Sequence, residues 1–395
     1  MLSINGRNNM RLLYITNARM PTEKAHGWQI VKMCEAFAKA GAYVELFVPK
    51  RRNHIKEDAF SYYGIEKRFN IQYLPCLDLV RFGKLGFYVQ VFTFTVSAVL
   101  VSLFKKSDAI YSRDEVFSWA ESFFRKNVFY EMHDYPRSHG WLYKGLFKRV
   151  AKIVSTNQIK KNQLMKEFGV PEEKIIVASN GIDLANFTPA SKESLRNKFP
   201  FQTATIPQHK KIVSYIGNKT FGQPKGEARL VEAFSQLSKK RDDIFFLLTV
   251  INHREFKEVE SIFQKHSVPH SSYWIQAHAP RPVAHMLMQL SDVLVMNYPN
   301  TEHYAQFMSP IKMFEYMASG TPIVSSDLPS IREVLNENNA VLVEPGNTEA
   351  LAAGINKVLN DEAFAKRIAA QAQEDVKKYG WNKRAKALIS MMHAI

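Results

Sequence analysis

Residues 11–16, Arg-Leu-Leu-Tyr-Ile-Thr, read as a buried strand, followed by a polar loop from Asn17 to Gly27 and an amphipathic helix from Trp28 to Ala40. Gly41 stops that helix, and 43–48 form a second apolar strand. A strand returning to its own sheet through a helix is a βαβ unit, which closes right-handed and builds a parallel sheet. This alternation constrains the fold more than any other feature, because it continues along the chain. Strands are expected at 71–74, 109–112, 128–131, 153–156 and 175–177, with an apolar helix at 85–104. A second series opens with a strand at 211–216 and a helix at 227–238. It continues through strands at 244–250, 273–276, 293–296, 321–324 and 340–343, with helices at 255–266, 282–290 and after Ser309. The expected fold class is α/β: two Rossmann-like, doubly wound parallel-sheet domains facing a central cleft. At 395 residues the chain is long for one core and comfortable for two. A boundary in the polar stretch around Thr188–Pro189 gives domains of 1–189 and 190–379.

The net charge is +16, concentrated in the first half, where Lys50, Arg51, Arg52 and Lys56, then Lys144, Lys148, Arg149 and Lys152, cluster. Such patches attract phosphates or anionic lipid headgroups, or simply keep a surface solvated. No zinc-finger spacing, RNP-type aromatic signature or basic zipper accompanies them, so nucleic acid is not an expected partner. The two cysteines, Cys34 and Cys76, are far apart and lack a metal-ligand pattern. The polar residues before Leu12 do not resemble a signal peptide, and the expected location is cytoplasmic. The 85–104 segment has no formal charge and is long enough to span a bilayer. Its Tyr88, Gln90, Thr93, Thr95, Ser97 and Ser102, and its place inside one α/β series, favour a helix buried in the first domain, with an interfacial helix as the alternative.

Residues 308–334 compress a helix start, a glycine stop and a strand. Ser309 is a good N-cap, Pro310 suits the first helical position, and Gly320 ends the helix before 321–324. Lys312 and Glu315 lie three apart and project from one side. Free N–H groups at the helix start suit a diphosphate, and Glu315 can accept hydrogen bonds from ribose hydroxyls. A capped helix before a core strand is also common in any α/β domain.

The wording of this run resembles the nucleotide-sugar-binding segment of family-4 retaining glycosyltransferases of the GT-B fold, in the branch reading Ser-Pro-Leu-Lys-Leu-Phe-Glu-Tyr-Met-Ala. The resemblance implies that Glu315 binds ribose and that Ser309, Pro310, Ile311 and Lys312 hold the donor phosphates and sugar. In many members a second glutamate stands eight positions earlier; Phe307 occupies that place here. Further matches recur in family order: 21–27 resembles the loop facing the donor phosphates, Asn180-Gly181-Ile182-Asp183 a turn near the domain junction, and Gly217 with Lys225-Gly226 the glycine loop and phosphate-binding lysine. Where many members have an arginine after that glycine, Asn218 stands here, with Lys219 next. The 343–347 run and Gly380-Trp381 resemble the closing segments, which implies that 380–395 joins the first domain.

Gly27 fits a backbone that approaches phosphate and has no room for a Cβ. His133, just beyond a strand's carboxyl end, stands where ligands of such sheets bind, and by resemblance it is the histidine near the donor sugar, the candidate catalytic residue. Arg113 ends another strand at the same edge and is the candidate acceptor-side residue. The resemblance implies a retaining transferase moving a hexose-type sugar from a UDP- or GDP-linked donor to a glycan or lipid-linked acceptor in cell-surface glycan biosynthesis. It implies a same-face attack without a protein nucleophile, and no cofactor or essential metal. The expected partners are the nucleotide-sugar donor, the acceptor and an anionic membrane surface at the inner face. The alternatives are a nucleotide-sugar epimerase of the same fold and a non-catalytic sugar-nucleotide-binding assembly subunit, the latter motivated by Phe307 and Asn218.

Overall fold

The computed structural model describes residues 10–136, 138–188, 190–198, 206–207, 209–217, 226–250, 253–277 and 279–394. They divide into two units, Met1–Ser179 with Trp381–Ile395, and Asn180–Gly380.

The first unit holds a seven-stranded sheet of Arg11–Ile15 (β1), Tyr43–Pro49 (β2), Asn70–Leu74 (β3), Ala109–Ser112 (β4), Val128–Met132 (β5), Lys152–Ser155 (β6) and Ile175–Val177 (β7). All pairings are parallel, in the order β3-β2-β1-β4-β5-β6-β7. The order reverses between β1 and β4, the kind of place where ligands of open α/β sheets bind. β4 and β5 are buried along their whole length, as strands covered on both faces are. The helix Ala25–Lys39 covers one face together with Trp381–His393, whose Trp381, Ala385, Leu388 and Met392 share its core. Short helices unmarked by the sequence pattern, Glu115–Glu121, Gly140–Arg149 and Gln158–Phe168, make the later crossovers.

The second unit's sheet contains Lys211–Tyr215 (β8), Ile244–Val250 (β9), Tyr273–Ala277 (β10), Val293–Met296 (β11), Ile323–Ser326 (β12) and Val341–Val343 (β13). Its order is β10-β9-β8-β11-β12-β13, again parallel, with the reversal between β8 and β11.

Three expectations shift. The division falls at Ser179/Asn180, ahead of 189/190, because Ile182 and Phe187 pack into the second unit's core. The helix expected from Trp28 begins at Ala25, so Gly27 sits in its first turn. The 85–104 segment is the helix Gly83–Phe104, but its burial is one-sided: Phe94, Ala98 and Ser102 face inward while Leu85, Phe92 and Leu100 are exposed.

Candidate active site

In the second unit the helix Ile311–Ser319 follows Pro310, which is itself the N-cap with extended backbone (φ −73°, ψ 129°). No side chain caps this helix, so Ser309 is not the cap that its sequence position promises. Its groups are committed elsewhere: the Ser309 hydroxyl accepts from the Asn180 N–H at 3.3 Å, and its carbonyl accepts from Asn180 Nδ2. Asn180 thereby ties the turn that opens the unit to the helix start.

Lys312 lies in the first turn and reaches towards the end of β8. Its Nζ is 3.7 Å from the Tyr215 ring centroid and 5.7 Å from that of Tyr298. The lysine stem fills the space that a side chain at Gly217 would need, and Gly217 takes φ 147°, which L side chains rarely adopt. The Gly217 N–H donates to Thr249 Oγ1 at 2.8 Å. Tyr316, one turn along the helix, donates to the Ile216 carbonyl at 2.8 Å and accepts from the Ile216 N–H at 2.7 Å. Lys312 and Tyr316 thus clamp the glycine turn after β8 to the helix. Lys225, Asn218 and Lys219 lie outside the described residues.

Glu315 is buried beside Arg281, whose Nη1 stands 2.5 Å from Oε1, and His285, whose Nε2 stands 3.5 Å from the same oxygen. Burial alone raises a carboxyl pKa, but the Arg281 charge and His285 more than offset it and hold Glu315 at about 2. The carboxylate is therefore ionised throughout the physiological range. Arg281 opens the helix Arg281–Leu290 just beyond β10. Neither Arg281 nor His285 was singled out from sequence, although Arg281 does stand just past the carboxyl end of an expected strand, as His133 and Arg113 do. Phe307, in the glutamate's usual place, is buried within the π-helical turn His303–Phe307.

In the first unit His133 follows β5. Its Nε2 lies 2.6 Å from Oε1 of Glu131, a fully buried residue of β5. The same carboxylate accepts from Arg384 Nη2 at 2.8 Å, from Gln29 Nε2 at 3.4 Å and from the Tyr111 hydroxyl. Arg113 Nη1 donates to Gln29 Oε1 at 2.8 Å, so the two side chains predicted at this edge meet through Gln29 and Glu131. Lys160, buried, donates from Nζ to the His133 carbonyl at 2.8 Å and fixes the loop backbone. Burial and then the Arg113 charge pull His133 down to about 4, against the opposing pull of Glu131. Burial would raise Glu131, but Arg384, His133 and Arg113 hold it well below the usual carboxylate range. The pair is thus a neutral imidazole donating from Nε2 to an ionised carboxylate. Gln29, Lys160 and Arg384 have partners far away in the chain, and Glu131, although close to His133, stands in a strand whose pattern gives no reason for a charge.

Gly27 owes its lack of a side chain to packing as well: a Cβ there would collide with the Tyr63 hydroxyl and the Thr22 methyl. Tyr63 bridges the Thr22 N–H and carbonyl, both at 2.8 Å, and so occupies that space.

A family model described as Glycosyltransferase Family 4 matches residues 27–186, and one described as Glycosyl transferases group 1 matches residues 197–375. Among curated relatives, an uncharacterized glycosyltransferase of Methanocaldococcus jannaschii is 25% identical over 243 residues, 61% of this chain and 59% of the relative. A phosphatidyl-myo-inositol mannosyltransferase of Mycobacterium tuberculosis is 23% identical over 235 residues, 55% of this chain and 53% of the relative. The chain thus spans somewhat over half the length of these relatives. Anabaena HepE, solved in complex with UDP, superposes with a TM-score of 0.73 at 16% identity, covering 98% of this chain and 100% of that one. The two doubly wound parallel sheets are those of the GT-B fold, and they carry a domain that matches the Glycosyltransferase Family 4 model followed by one that matches the Glycosyl transferases group 1 model.

Proposed function

We propose that the protein is a retaining transferase that moves a hexose-type sugar from a UDP- or GDP-linked donor to a glycan or lipid-linked acceptor in cell-surface glycan biosynthesis. The observation that carries this reading is the pairing, on one helix, of Lys312 at the glycine turn with an ionised, buried Glu315 a turn further in. A diphosphate leaving group gathers negative charge as the glycosidic bond breaks, and a lysine beside a helix start opposes that charge in place. Glu315, held charged by Arg281, accepts hydrogen bonds from the ribose hydroxyls. The UDP bound by HepE and the lipid named for the mycobacterial relative support the donor and acceptor classes.

In this mechanism the acceptor attacks from the face the diphosphate leaves, and a diphosphate oxygen accepts the proton, so no protein nucleophile and no essential metal is needed. His133, neutral and donating to Glu131, suits a hydrogen bond to the sugar better than proton transfer. Thermal stabilisation by UDP-glucose, GDP-mannose and ADP-glucose identifies the donor, because a ligand of the native state raises the melting temperature with its concentration. The expected result is stabilisation by one nucleotide class, and a loss of affinity of about tenfold or more in Glu315→Gln, as a buried hydrogen-bonded charge pair is disturbed. Unchanged donor affinity in that variant removes Glu315 from the site.

A further inference from the structure

The helix Gly83–Phe104 buries Gln90, Thr95 and Ser102 beside Phe94, Ala98 and Val99. Buried Gln90 exchanges amide hydrogen bonds with Asn17 at 2.7 and 3.3 Å, and Ser102 donates to the buried Glu121 carboxylate at 2.8 Å. Gly86 and Ala98 lie on the same inner side, where the helix packs against β3 and the helix Glu115–Glu121. The outward side is an apolar stripe of Leu85, Tyr88, Phe92, Val96, Leu100 and Leu103, at intervals of three and four residues. Leu85 is 77% exposed, Phe92 67% and Leu100 54%. In a helix that merely covers a sheet the hydrophobic effect places such side chains inside. Here a second apolar side faces outward, along about 27 Å from Leu85 to Leu103 at 1.5 Å per residue, which exceeds the scattered apolar exposure of an ordinary surface.

The apolar surface continues onto neighbouring elements. Phe123 and Phe124 are exposed just beyond the helix Glu115–Glu121, and Trp141, 66% exposed, packs edge-on to Trp119 at 5.7 Å. Exposed lysines frame it: Lys84 and Lys106 near the two ends of the long helix, and Lys126, Lys144 and Lys148 beside the aromatics. An apolar stripe rimmed by cations matches a partner with an apolar interior and an anionic boundary. The long helix is the one helix among the described residues that is long and apolar enough to cross a bilayer. Its inner bonds to Asn17 and Glu121 hold it on the unit, so a spanning arrangement would break them and bury bare polar groups.

We infer that the first unit docks on an anionic phospholipid membrane through the outward stripe of Gly83–Phe104, with the helix lying flat in the interface. Phe123, Phe124 and Trp141 enter at its side, and the lysines meet the headgroups. This docking does not depend on the donor chemistry, and either can fail alone.

Flotation of the purified full chain with vesicles of phosphatidylcholine, or of an equal mixture of phosphatidylcholine and phosphatidylglycerol, tests it. The protein should float with the mixed vesicles, float poorly with phosphatidylcholine alone, and be released as salt rises. Phe92→Glu with Leu100→Glu should reduce binding by about tenfold or more while leaving the melting temperature and the donor-induced stabilisation unchanged, since both side chains are exposed. Lys144→Glu with Lys148→Glu should weaken binding and flatten its salt dependence. The inference is overturned if the native chain does not float with the mixed vesicles at low salt, or if the Phe92/Leu100 variant floats as well as the native chain. It is equally overturned if the native chain forms dimers that this variant dissociates and neither binds vesicles, since a second copy would then be the occupant.

Discussion

A fully buried carboxylate needs a counter-charge and satisfied oxygens, and Glu131 has the first in Arg384 and the second in hydrogen bonds from Tyr111 and His133. The same surroundings keep His133 neutral, with a native pKa near 4 against an ordinary value of 6.5. As pH falls, the unfolded chain therefore takes up this proton before the native one. The stability contributed by His133 is complete above about pH 6.5 and is lost as pH falls towards 4. Asp114 and Glu121, both raised to about 7 by burial, act in the opposite sense, so the profile of the native chain alone mixes the two. Comparison with His133→Asn isolates the histidine: the stability advantage of the native chain should shrink by about 1–2 kcal/mol between pH 7.5 and pH 5. Denaturant melts at the two pH values measure it, and an advantage independent of pH would place an ordinary histidine at 133. His133 itself was legible as a residue just beyond a strand. Glu131, two positions earlier, was not, because strand periodicity offers no reason for a charge among buried neighbours.

At the scale of elements, local spacing located the helix Ile311–Ser319, and its end is explicit. Gly320 takes φ 75°, the left-handed conformation that closes a helix, and an added Cβ would stand 2.5 Å from Gln373 Nε2. Gly320→Ala should cost about 1–2 kcal/mol, read as a lower melting temperature, with donor affinity retained because the change is at the far end from Lys312. The helix start was misplaced by one residue. Ser309 has a favourable cap side chain, but Asn180, far away in sequence, takes both its hydroxyl and its carbonyl. Gly27 shows the same limit: a glycine read for its approach to phosphate is also required by Tyr63, a tertiary neighbour from a helix that the sequence pattern did not mark.

At the scale of the whole chain, the closing helix Trp381–His393 belongs to the first unit, and Arg384 is its polar anchor there. The guanidinium donates to Glu131 at 2.8 Å and to the Ser179 carbonyl at 3.0 Å, and both members of the ion pair are nearly inaccessible. Arg384→Met leaves Glu131 buried without its main counter-charge, so it should cost about 3–5 kcal/mol. A thermal melt of the variant checks this, and Arg384→Met with Glu131→Gln should recover part of the loss because the stranded charge is removed with its partner. The sequence by itself determined the alternation of strands and helices, hence two parallel doubly wound sheets, and set Lys312 and Glu315 on one side of a helix, because both depend on spacings of a few residues. Tertiary structure alone decided that Arg281 and His285 face Glu315, that Arg384 returns to Glu131, and that Gly83–Phe104 leaves a second apolar stripe facing outward. Each of these depends on which distant side chain occupies the space opposite, and the period of a helix or strand does not carry that information.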